Sequence, residues 1–203
     1  MTPPTVSILG ITVKEGELRL QYELLNPASG DRMFLMNLHG DLWEQLKPPP
    51  RSQFSAQVAP VCYRREQDLL LFWAAEVPKV YSPLSDSYGP ILPLTAAVGR
   101  GEKFEATIRT PLPVAEWGPY EPPERAGPNV REIEVKKVRL VVEYLLEKDA
   151  EDPPEPDDDQ PGAFYVIGPT HFVQADLVSP APIRVLERLD DFNRFGGEEP
   201  TPE

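Results

Sequence analysis

One cysteine and two histidines are all that the 203 residues offer for thiol or imidazole chemistry. Cys62 has no second cysteine to join, so a disulfide within the chain is excluded and a reducing compartment is favoured. Zinc would require more Cys and His than are present. A histidine-based triad would have to use His39 or His171, and no G-x-S-x-G elbow accompanies either. The residues around Cys62 match no nucleophile signature. Long apolar runs are missing too. No segment approaches the roughly 20 apolar residues of a spanning helix. The opening MTPPTVSILGITVKEGELRL has neither a basic leader nor an unbroken apolar core. Internal repeats are absent. These gaps predict a soluble, cytoplasmic chain with no cofactor, no metal and no membrane partner.

Basic residues are also in deficit. The formal net charge is -13, which argues against nucleic acid and anionic membranes as partners. Residues 149–162, DAEDPPEPDDDQPG, carry seven acids and no base, and residues 196–203 carry three more. The rest of the chain is therefore near neutral, at -3. Low apolar content and self-repulsion predict a flexible acidic insert over 149–162 and a disordered acidic tail over 196–203. Asp157, Asp158 and Asp159 are contiguous, without the spacing or glycine of a calcium loop, so no specific metal site is expected there.

Proline is what the chain has in excess, with 26 residues. Proline interrupts helices and central strands alike, and so divides the chain into short runs. Those runs alternate with period two. In ELRLQYELLN, Leu18, Leu20, Tyr22 and Leu24 point one way and Glu17, Arg19, Gln21 and Glu23 the other. KFEATIRTP does the same through Phe104, Ala106 and Ile108. In NVREIEVKKVRLVVEYLLEK, Ile133 and Val135 share a face and Val138, Leu140, Val142, Tyr144 and Leu146 resume after Lys136 and Lys137. That is a one-residue phase shift of the kind a β-bulge produces. Helix is the competing reading of this run, and its β-branched valines favour strand. Further strands are predicted over 5–13, 32–38, 60–65, 67–76 and 94–99. A closing hairpin is expected from 162–168 and 170–178 with Gly168 and Pro169 at its turn. NPASGDR (26–32) is a turn by composition. The one good helix candidate is APIRVLERLDDFNRF, whose first half, IRVL, also suits a last strand.

About nine strands without strand–helix alternation predict an all-β fold. The expected form is an antiparallel β-sandwich of Ig-like, Greek-key type, a single domain over 1–195 with at most one or two short helices. The stretch Leu18 to Asn37, a strand ending in an Asn-Pro turn before a second apolar strand, resembles Ig-like and proteinase-inhibitor-like sandwiches. That resemblance carries no residue's role with it.

Two proline-rich connections, 76–93 and 111–128, are long for a compact domain. They hold Tyr81, Tyr88, Trp117 and Tyr120, aromatics on stiff loops that suit protein recognition or else cap the ends of the sheets. The leading expectation is thus a non-enzymatic interaction module binding another protein through these residues. Its alternatives are an accessory subunit pairing through a sheet edge, and a carbohydrate-active hydrolase. The hydrolase would use Glu76 and Glu116, beside Trp73 and Trp117, as its two carboxylates.

Overall fold

A computed structural model describes residues 2–38, 61–74, 94–115, 130–156, 158 and 162–189. Among them the protein is all-β, with no α-helix and with 3-10 turns at Arg65–Gln67 and Glu147–Asp149. The strands are β1 (Thr5–Lys14), β2 (Glu17–Leu25), β3 (Met33–Leu38), β4 (Val61–Arg64), β5 (Leu69–Ala74) and β6 (Leu94–Val98). They continue as β7 (Lys103–Pro111), β8 (Val114–Ala115), β9 (Val130–Leu146), β10 (Glu155–Pro156), β11 (Ala163–Tyr165) and β12 (Thr170–Arg188).

Two sheets result. The smaller has the order β1-β2-β7, antiparallel throughout. Its first hairpin turns on Glu15 and Gly16, both with positive φ (56° and 81°), the conformation a two-residue hairpin loop requires. The larger runs β10-β11-β6-β3-β9-β12-β8, with β4 and β5 joined to it through β9. Its spine is the ribbon of β9 and β12, paired from Thr170↔Leu145 to Arg188↔Val130. β3 and β5 follow each other along the opposite edge of β9, at residues 144–146 and 137–142.

Strict alternation in β2 explains where the core sits. Leu18, Leu20, Tyr22 and Leu24 are fully buried, each side chain contributing roughly 1.5–3 kcal/mol relative to exposure. They share one apolar cluster with Ile108 of β7 and with Leu70, Phe72, Val138, Leu140, Val142 and Val185 of the larger sheet. The predicted phase shift in β9 is present: Val135 and Val138 are buried around exposed Lys136 and Lys137. The extra residues lie in the partner strand, where Ser179–Pro182 bow out opposite Lys136. The apolar run LLLFWA of β5 is covered on both faces, as a strand placed between two neighbours should be. Trp73, half-buried, turns away from the main cluster and packs on Phe172 beside Cys62, Leu71 and Val141.

The Asn-Pro turn has a specific anchor. The buried Asn26 amide donates to the carbonyls of Asp31, Val98 and Gly99 at 2.8, 3.1 and 3.0 Å, tying the end of β2 to the β6–β7 turn. Gly30 makes room for it, since a Cβ there would sit 2.4 Å from Asn26 Oδ1.

Several expectations are corrected. Pairing is not antiparallel throughout: β5–β9 and β8–β12 are parallel, which the long connections between their members permit. β11 and β12 do not form a hairpin at Gly168 and Pro169. β12 pairs with β9, so β11 turns aside to β6 and β10. Gly168 instead serves close approach, since a Cβ there would meet Asp149 O at 2.5 Å. The C-terminal helix is a strand as far as Arg188. Ile183 and Val185 enter the core at a two-residue interval and pair with β9, a burial that overrides the three-residue spacing of Leu186 and Leu189. Finally, the connection beginning at Pro111 contains the short strand β8, whose Val114 is fully buried.

Candidate functional site

Among the described residues, three places concentrate chemistry or unmet contact. At one end of the core, the 3-10 turn after β4 and the strands β9 and β12 deliver Arg65, Arg131 and Glu187 to one point. Glu187 is fully enclosed, yet both guanidinium groups around it are about half-exposed. Arg131 is its direct cross-strand partner and donates from Nε at 3.0 Å and from Nη2 at 2.5 Å; Arg65 donates from Nε. Burial alone would raise the carboxyl's pKa. The hydrogen bonds and charges of Arg131 and Arg65 outweigh it and hold Glu187 below the usual range. Beside it, burial and a 3.0 Å hydrogen bond donated to Asp68 push the Tyr63 phenol up. One group is thus fixed as an anion and the other as a neutral phenol. The cluster ties the turn after β4 to β9 and β12.

At the other end of the same ribbon, His171 begins β12. It stacks near Tyr144 with ring centroids 5.4 Å apart and meets Asp149 Oδ2 at 3.2 Å. Close by, Arg32 lies over the touching rings of Phe34 and Phe164, at 5.1 and 5.0 Å from their centroids, and donates to Glu147 at 3.2 Å. These contacts bind the root of the acidic segment to β3. Among the described residues no group of three metal-type ligands gathers, and no helix is long and apolar enough to cross a membrane.

The third place is the outer edge of the smaller sheet. Among the described residues β1 is hydrogen-bonded on one side only, to β2, though it also lies against β12. β7 forms the opposite edge and carries Lys103, Glu105 and Arg109, the charges that normally deter pairing. β1 has no charge before Lys14. Among the described residues its protection is a bulge at Leu9, between the pairs Ile8↔Tyr22 and Gly10↔Gln21. Leu9 and Val13 are 55% and 58% exposed, two large apolar side chains on one ten-residue edge.

No family model, no curated protein and no solved structure matches the chain.

The residues singled out in the sequence mostly fall elsewhere. Trp117, Tyr120, Tyr81 and Tyr88, the carboxylates Glu76 and Glu116, and His39 all lie outside the described residues. Of the acidic segment, Glu155–Pro156 pairs with β11 and the Glu151 amide donates to Ile167 O. The tail 196–203 is outside the described residues. Neither the Glu187 clamp nor the β1 edge was named from sequence. A lone Glu in IRVLER gives no sign of two arginines arriving from elsewhere in the chain. The run TVSILGITVK was legible as a strand, and its lack of charge was the available signal that its edge is undefended.

Proposed function

We propose that the chain is a non-enzymatic interaction module of β-sandwich type that binds another protein by accepting a strand on the open edge of β1. The carrying observation is the edge itself: ten residues, uncharged up to Lys14, hydrogen-bonded on one side among the described residues and presenting exposed Leu9 and Val13. Strand addition derives affinity from main-chain hydrogen bonds and specificity from alternate side chains, and such an edge offers both. Support for the sandwich comes from the single cluster that draws side chains from both sheets. The chain also crosses between them from β2 to β3, β6 to β7 and β7 to β8. The Ig-like, Greek-key form expected from the strand pattern is part of the same proposal.

Capture from an extract of the native source, with three forms of the chain as bait, tests this reading against recognition by the proline-rich loops. Val13→Lys places a charge on the otherwise uncharged edge, the device by which edge strands deter pairing, so capture should fall by about tenfold or more. Trp117→Ala should capture as well as wild type. Loss with Trp117→Ala and retention with Val13→Lys would transfer the role to the loops.

A further inference from the structure

We infer that the strand accepted by β1 is the β1 of a second copy of this chain, paired antiparallel about a two-fold axis between Leu9 and Gly10. This rests on the edge-pairing reading and names its partner. The two three-stranded sheets would join into one of six.

Residues 6–13 read Val-Ser-Ile-Leu-Gly-Ile-Thr-Val, close to a palindrome. In the symmetric register Val6 of each copy meets Val13 of the other, Ser7 meets Thr12, Ile8 meets Ile11, and Leu9 meets Gly10. Directly opposite residues in an antiparallel pair lie on the same face. A register that sets even residues against odd ones would therefore place core-facing side chains against outward ones in a regular strand. The bulge removes that conflict. Val6 and Ile8 oppose Leu24 and Tyr22, whereas Ile11 and Val13 oppose Leu20 and Leu18, and all four β2 partners are fully buried. Both halves of β1 thus direct their apolar residues to the core side. Ser7 and Thr12 oppose Glu23 and Arg19 and face outward.

The register also matches chemistry. β-branched side chains meet each other, hydroxyl meets hydroxyl, and Lys14, the one charge, meets Thr5 rather than its like. At the axis, Gly10 has nothing within 4 Å of where a Cβ would be, which leaves space for the exposed Leu9 of the other copy. An isologous contact needs a patch complementary to itself, and β1 is one.

Charge reversal across the axis provides the test, read by sedimentation velocity. Wild type should dimerise, with half-association somewhere between about 1 and 100 µM, the range open to a small two-fold contact. Ser7→Lys/Thr12→Lys sets lysine against lysine twice and should weaken self-association by tenfold or more; Ser7→Glu/Thr12→Glu should do the same. Both positions are exposed, and unchanged melting temperatures would show that folding is intact. Mixing the lysine and glutamate chains should restore a dimer containing one of each. A wild-type chain that stays monomeric throughout, or a dimer indifferent to the lysines, would overturn self-pairing. If wild type is monomeric while Val13→Lys still abolishes capture, the edge reading stands and only the identity of the partner falls.

Discussion

Glu187 shows how one enclosed carboxylate can be an asset. Enclosing a charge is costly unless it is paired and hydrogen-bonded, and here two guanidinium groups do both while staying half in water. Their exposure also limits what is lost when the carboxylate goes. Glu187→Gln should destabilise by about 1–3 kcal/mol, below the 3–5 expected when a fully buried pair loses one member. The pH dependence has a definite sign. With its folded-state pKa held below the usual 4.5, Glu187 contributes its full stabilisation above that value and loses it as pH falls through the lower folded value. Chemical denaturation at a series of pH values should show the gap between wild type and Glu187→Gln complete at neutral pH and narrowing in acid. A gap that stays constant well below 4.5 would mean that the carboxylate's charge is not what fastens the strands.

Among the elements, β2 and β7 were the most legible, the run that forms β9 had a helix as its competitor, and the segment between β9 and β12 was the least legible. Alternation in residues 130–146 announced a strand and its phase shift, because each inward residue there is β-branched, Leu or Tyr. The β11–β12 hairpin was misjudged since Gly-Pro at 168–169 has turn composition, while pairing depends on which neighbour β12 already has. The acidic segment divides by chemistry. Phe164 and Val166 cover Phe34, Met36 and Leu145, while the stretch before Gly162 contributes Ala150 to that cluster. Replacing residues 152–161 by a short Gly-Ser turn removes the two-residue strand β10, whose side chains are both exposed, and shortens a loop whose length enters the closure entropy only logarithmically, so stability should shift by less than about 1 kcal/mol. Phe164→Ala should cost more, about 2–4 kcal/mol, through the lost ring contacts with Phe34 and Arg32. Thermal melts of the two variants would settle the order, and a larger loss from the Gly-Ser chain would show that the acidic stretch itself is structural.

At the level of the whole molecule, composition and period two were enough to predict an all-β chain, and they left its assembly open. Alternation in ELRLQYELL says which side of β2 is buried but not that β7 lies beside it, because strand order is decided by contacts remote in sequence. The same limit hid the edge. Whether β1 is central or outermost depends on neighbours that its own residues do not encode, and the parallel neighbours β5–β9 and β8–β12 arise the same way.

Hydrogen exchange along β1 tests the open edge most directly. In an antiparallel pair, backbone groups point alternately toward the partner and away from it, so a strand paired on one side leaves about half its amides to solvent. At low protein concentration, with the chain alone, alternate amides between Thr5 and Lys14 should exchange far faster than those of β2. On occupation of the edge they should slow toward the β2 values. Alternate β1 amides already as protected as β2 in the isolated chain would contradict the account, for they would show the edge to be occupied from within.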